Sequence, residues 1–398
     1  MAYTTYPTGN SSALPVNSSS VIIDGELITT GAQTEFISIP AGIYYGYASS
    51  AGNIQIGSRT YPISANELTS INYPRAEGTA SFTTFANTPN TTFITTSIPS
   101  AVWWGITYGN GIFLATGTSS SATFNLYATS TDGIDWVQRT SANLTSGNHY
   151  RTTYGNGKFV LARQGSTTAF YSTDALSWTI TTMPAVSNWF SGSYGNGVHI
   201  ATSISNANNV IAYSQDGISW IRGTLPITGT WYSSSYGNGT FIAVSNTSGV
   251  NAVSSTDGAT WTQRTLPATA TWYVTAYGNN TFVATTSNVA STTAASSTDG
   301  ITWALRTLPA AGTWNGLAYG NGIFMAASNG NTTAATSTDG ITWTLRTLPA
   351  SAGVVAMSYG NGSFFNLVQS STTGMIATTT TPATPISFGL YAGPKDVY

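Results

Sequence analysis

The sequence lacks cysteine and has few charged residues. Of 398 residues only 6% are charged, against about 25% in an ordinary soluble domain. The absence of cysteine excludes disulfides, thiolate metal ligands and cysteine nucleophiles. The eleven basic residues form no cluster, and the net charge is −2. A nucleic-acid groove needs concentrated positive charge, so we expect no nucleic-acid partner.

Carboxylates and histidines are also sparse. All four glutamates precede residue 80, and the two histidines are His149 and His199. A glycosidase generally needs a carboxylate pair, a histidine triad needs a nucleophile and an orienting acid, and a zinc site needs cysteine, histidine or carboxylate ligands. The sequence therefore predicts no catalytic residue, no metal site and no cofactor, and predicts that the chain is not an enzyme. His199 alternates with Val198 and Ile200 and is interpreted as a core residue.

No export or membrane signal is found. The N-terminal stretch "MAYTTYPTGNSSALP" has neither a basic nor an apolar segment, and no run approaches the roughly 18 apolar residues of a membrane span. We expect no membrane span and synthesis in the cytoplasm without a signal peptide. The neutral surface, rich in Ser, Thr, Asn and Gly, is instead typical of a protein exposed outside a cell after lysis.

What the sequence does contain is a repeat. The tetrapeptide Tyr-Gly-Asn-Gly, or a near copy, recurs at intervals of 40–46 residues. The motif Ser-x-Asp-Gly-x-x-Trp recurs at intervals of 40–42 residues, with Ala175 replacing the glycine in its second copy. We number the repeats 1 to 7 by their tetrapeptides, which begin at Tyr108, Tyr154, Tyr194, Tyr236, Tyr277, Tyr319 and Tyr359.

Each repeat contains four short apolar segments separated by turn residues. Asn-Gly and Asp-Gly suit two-residue hairpins, which need positive φ. Four strands in about 41 residues, repeated seven times, are typical of a β-propeller. The fold class predicted is all-β: a seven-bladed propeller of four-stranded blades in residues 81–398, preceded by a small β-sandwich-like domain in residues 1–80.

The chain ends predict how the ring closes. In residues 80–99, Phe93 and Pro99 take the places of the turn tryptophan and the strand-ending proline of a repeat. We therefore expect residues near 81–99 to pair with the last blade, which lacks the aspartate motif. The alternative is that Pro385–Gly393 supplies the fourth strand of that blade.

The aspartate motif resembles the Asp-box, or BNR repeat, which marks propellers such as sialidases and many proteins without enzymatic activity. The resemblance covers about 300 residues and implies that each aspartate caps backbone amides in a turn, while the tryptophan packs into the blade. The arginines that follow the turn are expected to contact neighbouring blades. The residues assigned to these structural turns are Asp132, Asp174, Asp216, Asp257, Asp299 and Asp339, with Trp136, Trp178, Trp220, Trp261, Trp303 and Trp343.

The composition and the "MAYTTYPTG" start resemble bacteriophage structural proteins. This resemblance implies a virion protein whose N-terminal domain, residues 1–80, docks on other virion proteins while the propeller is displayed for binding host-surface polysaccharide, as in a tail fibre. The alternative for residues 1–80 is a folding cap. Alternatives for the whole chain are a capsid decoration protein, a sialidase-like glycoside hydrolase and a bacterial adhesive protein. A homo-oligomer in the particle is expected.

Six tryptophans at the junctions between blades are candidates for a glycan platform, because exposed aromatic rings stack on sugars. The alternative is that they form core between the blades, as large aromatics at repeated positions usually do. These tryptophans are Trp103, Trp104, Trp189, Trp231, Trp272 and Trp314.

Overall fold

The computed structural model describes most of the chain. Contacts divide the chain into two compact regions: the small region, Met1–Asn90 with Thr380–Tyr398, and the propeller region, Thr91–Thr379. The domain boundary predicted at residue 80 thus differs from this division, which groups residues 81–90 and the C-terminal segment with the small region. The residues described are 20–23, 26–29, 35–39, 42–47, 52–56, 59–63, 68–73, 78–82, 91–118, 125–144, 149–205, 208–369, 371–379 and 389–392.

The described part of the small region consists of short antiparallel strands. Its first two strands form a hairpin, the third, eighth, fifth and sixth form a second sheet, and the fourth and seventh pair in a third. These strands are β1 (Ser20–Ile23), β2 (Glu26–Thr29), β3 (Glu35–Ile39), β4 (Gly42–Tyr47), β5 (Gly52–Ile56), β6 (Arg59–Ile63), β7 (Leu68–Tyr73) and β8 (Gly78–Phe82).

The propeller region contains all the repeats. Its strands are β9 (Thr91–Gly109), β10 (Ile112–Thr118), β11 (Asn125–Ser130), β12 (Val137–Arg139), β13 (His149–Gly155), β14 (Lys158–Ser172), β15 (Thr179–Gly195), β16 (Val198–Ser203), β17 (Asn208–Ser214), β18 (Ile221–Gly229), β19 (Trp231–Gly237), β20 (Thr240–Ser245), β21 (Gly249–Ser255), β22 (Thr262–Ala270), β23 (Trp272–Gly278), β24 (Thr281–Thr286), β25 (Ser291–Ser297), β26 (Ala304–Gly312), β27 (Trp314–Gly320), β28 (Ile323–Ser328), β29 (Asn331–Ser337), β30 (Thr344–Ala352), β31 (Val354–Gly360), β32 (Ser363–Val368) and β33 (Ser371–Thr379).

Repeats 4, 5 and 6 each form one four-stranded antiparallel sheet in chain order, β19–β22, β23–β26 and β27–β30. The other repeats are joined into larger sheets because β9 and β15 each run from the outer position of one sheet to the inner position of the next. No helix occurs among the described residues. The prediction of an all-β chain with four-stranded sheets is confirmed, and the architecture is that of a β-propeller.

The tetrapeptide turns have the geometry that their residues favour. Asn321 and Gly322 have φ angles of 49° and 76°, which match the mirror-image turn that connects tightly paired strands. The Asn279 side chain of such a turn donates a hydrogen bond to the Thr338 carbonyl of the following repeat at 3.0 Å. The same bond runs from Asn361 in repeat 7 to Thr131 in repeat 1 at 3.2 Å. The turns therefore link successive repeats.

The glycine at the end of each inner strand is a contact point between repeats. A Cβ on Gly320 would overlap the ring of Tyr359 in the next repeat, and one on Gly360 would overlap the ring of Tyr108 in repeat 1. Only glycine leaves room for the tyrosine ring at this place, which explains why Tyr-Gly recurs. The full series pairs Gly109 with Tyr154, Gly155 with Tyr194, Gly195 with Tyr236, Gly237 with Tyr277, Gly278 with Tyr319, Gly320 with Tyr359 and Gly360 with Tyr108.

The chain termini contribute to different sheets. Thr91–Ser97 of β9 pairs with β33 next to repeat 7, and the rest of β9 continues as the inner strand of repeat 1. The described part of the alternative segment, β34 (Gly389–Ala392), pairs instead with β4 in the small region. Residues 81, 82 and 91–99 are described, whereas 83–90 lie outside the described residues.

Candidate functional site

The six motif aspartates face the backbone of their own turns. In repeat 6, Asp339 accepts hydrogen bonds from the Ile341 and Thr342 amides, both at 2.8 Å, and from the Ser337 hydroxyl at 2.9 Å. Ser337 in turn accepts from the Gly340 amide at 2.8 Å. The same two amide bonds and the bond from the motif serine hydroxyl surround Asp132, Asp174, Asp216, Asp257 and Asp299.

Hydrogen bonding keeps these carboxylates ionised. Burial opposes ionisation of Asp216, but the amides of Ser219 and Ile218 and the hydroxyls of Ser214 and Ser219 outweigh it and lower its pKa to about 2. The pKa values of the other five are also lowered. A carboxylate with a depressed pKa whose oxygens bind its own turn is poorly suited to proton transfer. The structure does not bring the six together in one site.

The arginines after the turn bond within their own sheets. Arg306 Nε donates to the Ser296 hydroxyl at 2.8 Å, and these two residues lie on the paired strands β26 and β25. Arg264 and Arg346 bond in the same way to Ser254 and Thr336. These hydrogen bonds lie within one sheet and do not join neighbouring blades.

The glycan platform predicted from the junction tryptophans is wrong for five of its six members. Trp103, Trp231, Trp272 and Trp314 are 0% exposed and Trp189 is 1% exposed, so their rings cannot stack on a sugar. The reason is local: the indole folds back under the preceding segment, as Trp272 Nε1 does when it donates to the Ala268 carbonyl at 3.2 Å. Trp104 is half-buried. The core alternative therefore describes the five buried tryptophans.

His199 is buried completely, as its alternation predicts. It takes the place that Phe241 and Phe282 occupy in repeats 4 and 5, and its ring lies 4.6 Å from that of Tyr194. Burial lowers its pKa to about 4. It is therefore a neutral core residue near neutral pH and does not reach the surface. The side chain of His149 lies outside the described side chains.

The polar site that the structure does assemble is a cavity of about 140 Å³ among the inner strands. Every repeat contributes residues from its inner strand, and we call this space the axial cavity. Arg151 on β13 is the only charged residue among those that line it. The lining residues are Ile106, Thr107, Arg151, Thr152, Ser191, Gly192, Ser233, Ser234, Val274, Thr275, Asn315, Leu317, Ala356 and Met357.

Arg151 is held in place by aromatic rings and one carbonyl. Its guanidinium carbon lies 5.3 Å from the ring centre of Phe190 and 5.6 Å from that of Tyr273, and Nη2 donates to the Val355 carbonyl at 3.3 Å. Stacking over aromatic faces stabilises a cation but leaves its in-plane N–H groups for other acceptors. Arg151 does not follow the repeat, and this departure is the signal in the sequence that could have indicated the site.

The described part of the chain was compared with what a metal site and a membrane-spanning helix require. Those residues contain no group of three or more histidines and carboxylates that could hold a metal ion. None of them forms a helix that could span a bilayer.

Solved structures with the same fold include an enzyme and a peptide-binding protein. Virginiamycin B lyase from Staphylococcus aureus aligns with a TM-score of 0.62 at 11% identity, over 73% of this chain and 99% of its own. A streptogramin B lyase structure aligns with a TM-score of 0.62 at 13% identity, over 73% and 98%. YCF48, solved bound to D1 peptide, aligns with a TM-score of 0.57 at 15% identity, over 72% and 95%. No protein-family model and no curated protein sequence matches the chain.

The prediction that the chain is not an enzyme is contradicted by this comparison. It assumed that a propeller without a carboxylate pair or a histidine triad has no catalytic chemistry, yet the propellers that resemble this chain include lyases. Side chains catalyse other reactions besides glycoside hydrolysis and triad chemistry. The lack of a carboxylate pair and of a histidine triad therefore does not exclude an enzyme. At 11–13% identity the likeness shows the fold alone and assigns no reaction to this chain.

Proposed function

We propose that the chain is a bacteriophage virion surface protein in which a seven-bladed, Asp-box type propeller binds a ligand on the host surface. In this proposal the N-terminal β domain docks on other virion proteins, and the protein forms a homo-oligomer in the particle. The observation that carries the binding role is the axial cavity, where a lone cation and several hydroxyl groups face one space.

Contacts between repeat 7 and repeat 1 support a closed ring, which would give the rigid scaffold that ligand binding needs. The contact of Tyr108 with Gly360 and the hydrogen bond from Asn361 to Thr131 join repeat 7 to repeat 1. The pairing of Thr91–Ser97 with β33 adds an outer strand to repeat 7. These contacts support seven blades closed by the segment near residues 81–99, and a closed ring leaves only short, protected sheet edges.

The turn geometry supports the Asp-box resemblance, and the composition supports display outside a cell. A surface of neutral hydrogen-bonding residues with 6% charge offers groups that pair with sugar hydroxyls and adds little long-range electrostatic attraction. The division into two compact regions provides one region for docking and one for display.

The test is to locate the protein on particles of a phage that encodes it and to measure its effect on adsorption. We expect antibodies against the protein to label the tail. We also expect purified full-length protein to compete with the phage for adsorption to host cells. Labelling of the head with no competition would favour a capsid decoration protein instead. Absence of the protein from purified particles would contradict the proposal.

A further inference from the structure

Arg151 introduces a charge where the other inner strands have none. It is the third residue of its inner strand, counted from the position equivalent to Trp231. The corresponding residues of the other repeats are Gly105, Ser191, Ser233, Val274, Gly316 and Ala356. The propeller fold does not require a charge at this position, because the other six repeats form their inner strands without one. The difference therefore points to a role specific to this cavity.

The cation has no carboxylate beside it. None of the described residues that line the axial cavity is acidic. Among the described residues, Arg151 donates a hydrogen bond to the Val355 carbonyl, and its buried Nε has no hydrogen-bond partner there. A partly buried charge without a counter-ion is costly. An anion that enters the cavity would supply the missing charge and accept hydrogen bonds from the guanidinium group.

Polar atoms around Arg151 are also without partners. Thr152, Ser234 and Asn315 line the cavity and are 5%, 8% and 8% exposed. The hydroxyl oxygens of Thr152 and Ser234 and the side-chain carbonyl oxygen of Asn315 make no hydrogen bond with the described residues. Buried polar atoms are normally paired. These three atoms have almost no accessible surface, so a ligand that offers donors and acceptors would pair with them after a rotation of their side chains toward the cavity.

The single positive charge of Arg151 limits which class of anion fits the cavity. One guanidinium balances one negative charge, which matches a carboxylate, whereas a phosphate monoester carries close to two near pH 7. The planar guanidinium also matches the geometry of a carboxylate. The hydroxyl and amide groups nearby would pair with ligand hydroxyls, so a sugar acid fits this set of groups better than a simple carboxylate.

We infer that the axial cavity binds the carboxylate of a hexuronate-class sugar acid, with Arg151 as its counter-ion and Thr152, Ser234 and Asn315 as partners of its hydroxyls. This inference deepens the proposed function by naming the class of host-surface ligand, and it rests on that function for the source of the ligand.

The experiment measures binding of free glucuronate to the full-length protein by calorimetry, with glucose as the neutral analogue and acetate as the simple carboxylate. We expect glucuronate to bind more tightly than either, and its affinity to fall as sodium chloride is raised because salt screens the ion pair. Equal binding of glucose and glucuronate, or no detectable glucuronate binding, would overturn the inference. A peptide with a free C-terminal carboxylate that binds more tightly than glucuronate would also overturn it.

Variants identify the site. Arg151→Gln should weaken glucuronate binding by at least about tenfold, because it removes the charge that pairs with the carboxylate and its charge-assisted hydrogen bonds. Arg163→Gln is the matched control, because Arg163 lies on β14 and does not line the cavity, and it should leave affinity unchanged. Thermal unfolding of both variants verifies that they fold. Unchanged affinity in a folded Arg151→Gln protein would refute the assignment.

The two proposals fail in different ways. If glucuronate does not bind but the full-length protein competes for host adsorption, the ligand inference falls and the proposed function stands. If glucuronate binds through Arg151 but the protein is absent from particles, the cavity assignment stands and the virion role falls.

Discussion

Repeats 2 and 3 differ from repeats 5 and 6 although all four share one strand plan. Repeats 5 and 6 form separate four-stranded sheets, whereas repeats 2 and 3 share one six-stranded sheet through the long strand β15. Three departures from the repeat lie in this sheet or in the turn between β14 and β15: Arg151 at the axial cavity, Ala175 in place of the turn glycine, and His199 in place of a core phenylalanine. The regular repeats show which residues the fold requires. The departures therefore mark positions that serve a function or that carry local strain.

The contact between successive repeats should be the most sensitive feature of the regular part. Gly320→Ala places a methyl group into the ring of Tyr359, and overpacking of this kind costs about 3 kcal/mol. Gly322→Ala in the same turn is the control, because a Cβ there meets nothing within 4 Å. It should cost about 1 kcal/mol from its positive φ alone. Denaturant unfolding measures the free energy of unfolding of both variants. An equal loss in the two would contradict the role of the contact between Gly320 and the Tyr359 ring.

His199 should make stability depend on pH in a window that the turn aspartates do not affect. Its pKa of about 4 in the folded protein lies below its ordinary value of 6.5, so the unfolded chain binds a proton first as pH falls. The contribution of the neutral histidine is complete above about pH 6.5 and declines toward pH 4. We expect a loss of about 2 kcal/mol between pH 7 and pH 5.

The control for this effect is His199→Phe, which restores the residue that repeats 4 and 5 carry at this place. Unfolding free energies at pH 7 and pH 5 should converge in the variant, apart from any contribution of His149. A wild-type protein whose pH dependence equals that of the variant would show that His199 is not the titrating group.

A turn aspartate should contribute less to the free energy of unfolding than the glycine–tyrosine contact between repeats or His199. Asp339→Ala removes the acceptor of two amides and one hydroxyl, and loss of such a cap costs about 1 kcal/mol. Thr338→Ala in the same turn keeps its backbone carbonyl and should change the unfolding free energy by less. Because the pKa of Asp339 is lowered from 3.8, its contribution is present above that pH and is lost as pH falls further. A loss no larger than that of Thr338→Ala would contradict the capping role.

The sequence predicted the repeated features better than the site. The propeller fold follows from seven copies of one pattern, and the buried position of His199 follows from its alternation with Val198 and Ile200. Burial of the junction tryptophans was left open, because a tryptophan at a loop suits both a platform and a core. The axial cavity was not predicted. It is lined by two residues from each of seven strands that are far apart in the sequence, and only the fold brings Arg151 next to Phe190, Tyr273 and Val355.

Ala175 should give the smallest effect and the direct comparison between an irregular and a regular turn. It adopts a φ of 56° where the other turns have glycine, a conformation that costs an L-residue about 1–2 kcal/mol. Ala175→Gly relieves this strain but removes a buried methyl group worth about 0.8 kcal/mol, so we expect a gain of about 0.5 kcal/mol. The reverse change in repeat 6, Gly340→Ala, should cost more than this gain. Its Cβ would lie 2.6 Å from Val283 Cγ2 at a φ of 71°. Equal and opposite changes in the two variants would show that the backbone angle alone decides the effect and that the neighbouring repeat adapts freely to either residue.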